Sequence, residues 1–285
     1  MGKHSGDRAY LLARDQTESE RLEKQHFFFM ALLRNQIIQK SIPRDNLVSI
    51  ADIGTGTGIW LQEVAKVLPS PQLDLQGFDI SDAQFPPRHR LRVSENSEIG
   101  LHVQDARKEF PPEHHGRYDL VHIRLLTAGM KAEDYKHVVK NVRSLLKLNG
   151  YVQWEELDTT AFCTDKVPEP AVITKIRKTA MNGLMHMKMS YMAPSQVFQE
   201  LRSHQFQNVQ RKAYSTRGLG YLHDVAVNWA VGVIRALIPP TMIVTGEAKD
   251  MPEAKAKVEE LVIGYQEHCM TVLPLVNLYI VIGQL

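Results

Sequence analysis

The 285-residue chain has little of what marks the specialised protein classes. Its two cysteines, Cys163 and Cys269, form neither a CxxC pair nor a secreted disulfide framework, so we expect a reducing, cytoplasmic location. Positive and negative charges are nearly balanced, since 34 Lys and Arg against 32 Asp and Glu give a formal net charge of only +2. Proteins that bind nucleic acid or acidic membranes usually carry a basic excess. The balance therefore favours a small molecule as the partner.

Long uninterrupted apolar runs are also missing from the sequence. The stretch 225–244 is broken by two polar residues and by the Pro239-Pro240 pair, and the stretch 272–285 is too short to span a bilayer. The first residues, "MGKHSGDRAYLLARD", have no apolar core and predict no secretory signal. We therefore expect no membrane anchor and no membrane partner.

The middle of the chain alternates between strand and helix patterns. Strands are predicted at 48–53, 73–80, 101–104, 118–123 and 150–157, with helices at 59–67 and 135–146. This alternation predicts a parallel sheet flanked by helices. An amphipathic helix precedes it, from a capping box at Thr17 and Glu20 to about Lys40. After residue 158 we predict methionine-rich and charged helices and two further strands, the last in "VNLYIVIGQL".

The first predicted strand runs into a glycine turn, "IADIGTGTGIW", at residues 50–60. Such a turn lets the main chain approach a ligand closely and aims unpaired N–H groups at it. A P-loop would end in Gly-Lys-Ser/Thr, which Ile59-Trp60 excludes. A dinucleotide turn has the spacing Gly-x-Gly-x-x-Gly, with glycine where this chain has isoleucine. The spacing here is Gly-x-Gly-x-Gly.

Acidic residues follow the next two strands in turn. Asp79 ends the second strand, where a carboxylate can accept hydrogen bonds from two ribose hydroxyls, as it also would in an NAD site. Asp105 follows the third strand. Together with Asp52 in the first strand, these carboxylates indicate a nucleoside-type cofactor at three consecutive strand ends.

The glycine spacing, with Asp52 two residues before Gly54, resembles motif I of the class I S-adenosylmethionine-dependent methyltransferases. The resemblance implies that the turn lies against the methionine part of the cofactor and that Asp52 helps to hold its ammonium. It also places Asp105 beside the adenine amine, with Ala106 as a backbone donor. The predicted cofactor-binding residues are Asp52, Gly54, Thr55, Gly56, Gly58, Asp79, Ile80, Asp105, Ala106 and His122.

Six segments give a narrower resemblance: "YLLARDQTESERLEKQH", "IADIGTGTGIW", "GFDIS", "FPP", "YDLVHIRLL" and "LLKLNGYVQWEELD". From Tyr10 to Asp158 they are similar to the fungal LaeA-like methyltransferases of secondary metabolism. The stretch from Arg88 to Gly100 departs from that pattern because it is longer. The family implies an α/β fold with a Rossmann-like seven-stranded, mostly parallel sheet whose last strand is antiparallel, and S-adenosylmethionine as the methyl donor. It divides the chain into an N-terminal helical lid (1–45), a cofactor-binding core (46–160), and a helical cap with the last two strands (161–285).

Methyl transfer from a sulfonium needs alignment above all, and a general base is optional. His26 lies in the apolar stripe of the first helix, His122 ends the fourth strand and Glu155 ends the fifth, so we predict these three as catalytic residues. Core packing is the alternative for each histidine, and capping of the next helix is the alternative for the carboxylate. The predicted substrate-binding residues are Arg124, Trp154, Met185 and Met189. The methionines would form part of an adaptable apolar surface around the substrate. No spacing of metal ligands is present in the sequence, so no metal is predicted.

The family resemblance leaves several functions open. We predict methyl transfer to an oxygen or nitrogen of a small apolar natural product. A regulatory protein that retains the fold is the first alternative, and a catalyst that uses the cofactor without transferring its methyl is the second. A dehydrogenase is disfavoured by the glycine spacing. Base methylation of nucleic acid is disfavoured because the fourth strand ends in "DLVHIR" rather than in an Asn/Asp-Pro-Pro-aromatic turn. The oligomeric state is not predicted.

Overall fold

The computed structural model describes residue 12 and residues 15–68, 72–93, 97–158 and 162–285. The strands in these residues are β1 (Ser49–Ile53), β2 (Asp74–Asp79), β3 (Ile99–Val103), β4 (Tyr118–Arg124), β5 (Leu146–Leu157), β6 (Gln207–Ser215) and β7 (Asn277–Gln284). The α-helices in the same residues are α1 (Gln16–Leu32), α2 (Ile59–Val67), α3 (Tyr135–Leu145), α4 (Ala171–His186), α5 (Ala193–Ser203), α6 (His223–Val244) and α7 (Met251–Cys269).

All seven strands form one sheet in the order β3-β2-β1-β4-β5-β7-β6. The pairs among β1 to β5 are parallel, while β7 lies antiparallel between β5 and β6. The predicted α/β fold with an antiparallel last strand is confirmed. The strand order reverses between β1 and β4, and in such sheets the ligand crevice lies at the carboxyl ends of the strands that meet there.

The sheet separates two hydrophobic cores. Residues of β1 alternate between them, so that Ile50 packs with α1, α2, α4, α6 and α7 on one face, and Ala51 and Ile53 pack with α3 and α5 on the other. This alternation is the period of a strand covered on both faces. Asp52 shares the face of Ile50 and therefore points toward the layer that contains α1. The three-part division of the chain that the sequence suggested stays a prediction.

Two helix boundaries differ from the sequence-based expectations. Asp15, not Thr17, caps α1, because its carboxylate accepts a 2.9 Å hydrogen bond from the Glu18 amide. The helix then ends at Leu32 rather than near Lys40, since Arg34 and Asn35 adopt positive φ angles of 51° and 59°. The apolar residues beyond this point are buried in a non-helical connection, which is why their spacing resembled a helix.

Helix α6 continues past the Pro239-Pro240 pair to Val244. The turn that contains the prolines is held by packing, since Ile238 and Met242 are buried in the core. Among the described residues, one helical span, Gly220–Val244, is long and apolar enough to cross a bilayer by length and composition. It packs against α1, α4 and α7, which accounts for its apolar composition. The expected lack of a membrane anchor stays a prediction.

Candidate active site

A cavity of about 300 Å³ opens at the carboxyl ends of β1 and β4, where the strand order reverses. The glycine turn and the loops after β2 and β3 form one wall. Helices α1, α4 and α6 close the other side. The cavity therefore combines a polar wall built largely from backbone with an apolar wall built from helix side chains.

The glycine turn bends sharply at three positions. Gly54, Gly56 and Gly58 have φ angles of 71°, 52° and 69°, in the left-handed region that favours glycine. A Cβ on Gly54 would lie 2.6 Å from Leu126 Cδ2, so a side chain at this position would also have to displace the end of the Leu126 side chain. The Gly56 amide donates a 2.9 Å hydrogen bond to Asp79 Oδ2. The end of β2 thus fixes the turn that follows β1.

Gly58 differs from the other two glycines because it does not line the cavity. It precedes the first residue of α2, and its amide donates to the Thr55 carbonyl at 2.9 Å. Its prediction as a cofactor-binding residue stays a prediction. The glycine turns the chain into the helix, a role that the motif spacing does not separate from ligand contact.

Asp52 is buried at the end of β1 and is held by two neighbours. Its Oδ2 accepts a hydrogen bond from Thr55 Oγ1 at 2.8 Å, and its Oδ1 lies 2.7 Å from His122 Nδ1. The His122 ring stacks on Trp60 with centroids 3.7 Å apart and an interplanar angle of 2°. The adjacent strands β1 and β4 bring these groups together, since Asp52 and His122 are paired in register.

The loop after β3 is organised by Asp105. Burial opposes ionisation of this carboxyl, but hydrogen bonds from Arg107 lower its pKa below the usual value. Asn141 of α3 donates to the carbonyls of Ala106 at 2.9 Å and Lys108 at 2.8 Å, which fixes the loop from outside the cavity. Sequence reasoning missed Asn141 because a lone asparagine within an amphipathic helix carries no motif.

The predicted cofactor residues, apart from Gly58, all line the cavity: Asp52, Gly54, Thr55, Gly56, Asp79, Ile80, Asp105, Ala106 and His122. Seven atoms test whether the lining fits a polar ligand. They are buried side-chain atoms of cavity-lining residues with no hydrogen-bond partner among the residues that the structure describes: His26 Nε2, Thr57 Oγ1, Trp60 Nε1, Gln84 Nε2, His122 Nε2, Arg124 Nη2 and Arg177 Nε. Buried polar groups are normally paired, so this set fits a ligand with many polar atoms, as S-adenosylmethionine has.

A buried polar network joins the ends of β4 and β5 to α1. Arg124 Nε donates to Glu155 Oε2 at 2.7 Å, and Arg124 Nη1 lies 3.0 Å from His26 Nδ1. Burial alone would raise the pKa of Glu155, but the Arg124 charge and the adjoining His122 lower it to about 2. Glu155 is therefore ionised, fully buried and paired, and it does not line the cavity. Its prediction as a catalytic group is corrected to that of a residue that positions Arg124.

His26 lines the cavity from α1, yet its environment does not suit a base. Burial, followed by the charge of Arg124, lowers its pKa to about 3. The imidazole is therefore neutral at physiological pH and binds a proton poorly. The prediction of His26 as a catalytic base is corrected, although its place at the cavity agrees with the helical pattern.

Glu156 is the carboxyl at the end of β5 that reaches the cavity. Its Oε1 accepts hydrogen bonds from the Leu126 amide and from Trp154 Nε1, both at 3.0 Å, and its Oε2 accepts one from Thr127 Oγ1 at 2.7 Å. Burial nevertheless raises its pKa to about 7. The residue holds the loop after β4, in which Leu125 has a φ of 54°, unusual for a residue with a side chain.

Three of the predicted substrate-binding residues lie outside the cavity. Trp154 is fully buried beneath the sheet, where it stacks on Tyr135 at 5.8 Å. Met185 is 61% exposed on α4, and Met189 is buried beyond the end of that helix, so the predictions for Trp154, Met185 and Met189 are all corrected. Arg124 does line the cavity. The apolar wall is formed instead by Phe162, Ala180, Met181, Leu184, Trp229, Val233, Ala236 and Leu237.

The sheet order, the glycine turn and the acidic strand ends together define a class I S-adenosylmethionine-dependent methyltransferase. A family model described as a methyltransferase domain matches residues 9–211, and the chain belongs to this family. The methyltransferase grgD of Penicillium sp. is 31% identical over 214 residues, which are 73% of this chain and 72% of that protein. Two further relatives are matched over about half of this chain.

The first of these is the N-methyltransferase sirN of Leptosphaeria maculans, which is 37% identical over 145 residues, or 50% of this chain and 48% of the relative. The second is the secondary metabolism regulator laeA of Coprinopsis cinerea, 29% identical over 158 residues, or 52% of this chain and 36% of the relative. The chain thus spans about half or less of these two proteins. The predicted membership of the LaeA-like group of fungal methyltransferases is confirmed by these relatives.

Solved structures agree with the fold. Phosphoethanolamine N-methyltransferase 2 of Haemonchus contortus, solved with S-adenosylhomocysteine, has a TM-score of 0.52 and 14% identity, and the match covers 96% of this chain and 60% of that one. An S-adenosylmethionine-dependent methyltransferase of Archaeoglobus fulgidus has a TM-score of 0.51 and 14% identity, with coverage of 95% and 100%. At these identities the likeness shows the fold alone. With the family match, S-adenosylmethionine is the cofactor of this protein.

Proposed function

We propose that the protein transfers the methyl group of S-adenosylmethionine to an oxygen or nitrogen of a small apolar natural product of fungal secondary metabolism, in the cytoplasm. The observation that supports this proposal is the continuity of the cavity. Its polar wall, at the glycine turn and Asp79, runs directly into the apolar wall of α4 and α6. The grgD and sirN similarities support the same reaction class.

The cofactor supplies an electrophilic methyl group on a positively charged sulfur. The residues proposed to hold it are the glycine turn, with Asp79 at the ribose and Asp105 at the adenine. Because the turn is fixed by the Gly56 to Asp79 hydrogen bond, little has to move when the cofactor binds. The helices α1, α4 and α6 line the space beside it. Orientation of two bound reactants supplies most of the rate in such displacements.

A proton must leave when the acceptor is a hydroxyl or a protonated amine. Of the groups discussed above, Glu156 is the best placed to take it, because it lines the cavity and its pKa of about 7 lies near the working pH. His26, with a pKa of about 3, would remain neutral throughout. Glu156 therefore replaces His26 and Glu155 as the proposed base.

A regulatory role is the second candidate, favoured by the similarity to laeA. One experiment separates the two. Purified protein is incubated with S-adenosylmethionine labelled in the methyl group and with a metabolite extract of the source organism, and the labelled products are identified by mass spectrometry. Asp79→Ala serves as the matched control, because it removes the carboxylate proposed to bind the ribose. We expect a labelled small molecule with the wild type alone; label in protein, or in nothing, would contradict the proposal.

A further inference from the structure

A row of three polar side chains crosses three neighbouring strands of the sheet. Asp52 belongs to β1, His122 to β4 and Glu155 to β5, and the three strands are adjacent in that order. His122 Nδ1 lies 2.7 Å from Asp52 Oδ1, and on the other side of the ring His122 Nε2 lies 3.4 Å from Glu155 Oε1. The imidazole therefore sits between a carboxylate that lines the cavity and one that does not.

The His122 ring is held in its plane and at both nitrogens. Trp60 stacks on it with centroids 3.7 Å apart. A carboxylate oxygen accepts hydrogen bonds, so His122 Nδ1 carries the proton and donates it to Asp52. On the far side, Glu155 is itself fixed by the 2.7 Å hydrogen bond from Arg124. A flipped ring would bring a carbon where Nδ1 meets Asp52, so the orientation of the imidazole is set before any ligand binds.

These contacts do not suit His122 to the role of a base, although the residue lines the cavity. Its Nδ1 is occupied by Asp52, and its Nε2 is buried beside Glu155. The whole residue is 1% exposed. A general base must come within hydrogen-bond reach of the proton that it takes. The geometry thus indicates that His122 acts through a neighbour.

Asp52 is the neighbour that reaches the cavity. Its side chain keeps 4% of its surface exposed, against 1% for His122, and it lines the cavity beside the glycine turn. A carboxylate has about four acceptor positions, of which His122 and Thr55 each use one. With Asp79 proposed at the ribose and Asp105 at the adenine, the polar part of the cofactor that remains is its amino-acid end. The ammonium of that end is a cationic donor and complements the Asp52 carboxylate.

We propose that His122 is a positioning residue, which holds the Asp52 carboxylate in the orientation that receives the ammonium of the cofactor. The proposal rests on the proposed function, because it takes from there the positions of the ribose and the adenine. A carboxylate that is already oriented loses little conformational freedom when its ligand arrives, which favours binding. His122 therefore affects the affinity for one end of the cofactor and takes no part in proton transfer.

The test compares two ligands that differ at that end. S-adenosylhomocysteine and 5′-methylthioadenosine share the adenosine and the thioether, and only the first has the ammonium. His122→Phe keeps a ring to stack on Trp60 and removes the Nδ1 donor. We expect S-adenosylhomocysteine to bind about tenfold more weakly to this variant in calorimetry, the scale of one lost hydrogen bond, and 5′-methylthioadenosine to bind as before. An equal loss for both ligands would show a packing role alone and would overturn the proposal, as would no loss for either.

Two further variants separate the donor from the ring and connect it to Asp52. His122→Asn removes the ring but keeps an N–H donor near the place of Nδ1, so the preference for S-adenosylhomocysteine should return. Asp52→Asn should lose that preference, and adding His122→Phe to it should cost nothing more, since the two residues act as one unit. Additive losses in the double variant would show that His122 acts without Asp52 and would contradict the proposal.

The wild type supplies a readout that does not require any variant to fold. In protein labelled with ¹⁵N-histidine, the His122 signal is assigned by its ring contact with Trp60. We expect a protonated Nδ1 whose resonance moves when S-adenosylhomocysteine is added and stays in place with 5′-methylthioadenosine. An Nδ1 without a proton, or an equal response to both ligands, would overturn the proposal. Failure of the proposed function remains distinct, because it would appear as missing methyl transfer to the extract, and these titrations need no methyl acceptor.

Discussion

The two walls of the cavity are built by different means. The cofactor wall is held largely by the glycine turn and by its main-chain amides, as where the Gly56 amide donates to the Asp79 carboxylate. The opposite wall is held by side chains from distant segments, as where Arg124 of β4 joins His26 of α1 and Glu155 of β5. Backbone geometry tolerates changes in neighbouring side chains, whereas a network of buried charges fails when one member is removed. The comparison predicts different consequences for mutations on the two walls.

The largest expected effect is the loss of Arg124. The change Arg124→Met leaves the Glu155 carboxylate buried without its main partner, and we expect a loss of about 3 to 5 kcal/mol in the free energy of unfolding. The matched control is Arg235→Met, which breaks an exposed pair with Glu259 and should cost at most about 1 kcal/mol. Urea denaturation measures both.

The double variant Arg124→Met/Glu155→Gln sharpens this result. It removes the buried charge together with its partner, so most of the stability should return if the charge is the cause. An Arg124→Met protein as stable as the control would show that the network is not what holds this wall.

The next effect concerns the pH dependence of stability. Burial raises the pKa of Glu156 to about 7 in the folded protein, so the folded state retains a proton that the unfolded chain releases at lower pH. The stabilisation of the folded protein by this retained proton is fully present below the pKa that Glu156 has in the unfolded chain, and it is lost as the pH rises toward 7. The loss amounts to roughly 3 kcal/mol for a shift of this size.

Glu156→Gln removes the titration but keeps the shape and the hydrogen-bonding capacity of the group. We therefore expect the free energy of unfolding of the wild type to fall relative to this variant between about pH 4.5 and pH 7. Denaturation curves at several pH values measure the difference. Parallel profiles for the two proteins would contradict the raised pKa.

A smaller effect tests the backbone-built wall. Gly54→Ala and Gly116→Ala both place a side chain at a positive φ, at 71° and 58°, and each should cost about 1 to 2 kcal/mol of stability. A Cβ at Gly54 would also meet Leu126 Cδ2 at 2.6 Å, whereas at Gly116 it would meet nothing within 4 Å. We expect a loss of cofactor affinity of about tenfold for Gly54→Ala alone, measured by calorimetry with S-adenosylhomocysteine. Equal affinities in the two variants would contradict the placement of the cofactor at this turn.

The smallest effect compares two methionines of α4. Met181 lines the cavity, and Met185 is 61% exposed. Met181→Ala should weaken the binding of an apolar probe, 2-ethylnaphthalene, severalfold, because it removes apolar contact area, and Met185→Ala should leave it unchanged. Calorimetric titration of protein saturated with S-adenosylhomocysteine measures both variants. A larger loss in Met185→Ala would place the substrate elsewhere.

Sequence reasoning succeeded where the information is local. The spacing of Gly54 and Gly56 and the acid at the end of β2 lie within one strand-turn-helix unit and its neighbour, so the cofactor wall could be predicted residue by residue. The parallel sheet followed from the alternation of strands and helices. The motif did not show that Gly58 turns the chain into α2, because a motif records a position without recording which way the chain turns there.

The substrate wall could not be predicted in the same detail. Met181, Met185 and Met189 have similar spacing and chemistry, and the packing of α4 against α6 decides which of them reaches the cavity. Glu155 and Glu156 are neighbours in β5 and differ in the face toward which each points. The pKa of His26 depends on Arg124, which is 98 residues away in sequence. Properties of this kind arise from tertiary contacts alone.

The three tryptophans of the chain are divided between the cavity and the interior. Trp60, which stacks on His122, and Trp229 of α6 both line the cavity, while Trp154 of β5 is fully buried and does not line it. Ultraviolet excitation of the unmodified protein should thus yield an emission component that responds to an occupant of the cavity and another that does not. Intrinsic tryptophan fluorescence should therefore report ligand binding through Trp60 and Trp229 without an attached dye, and Trp154 should serve as an internal reference.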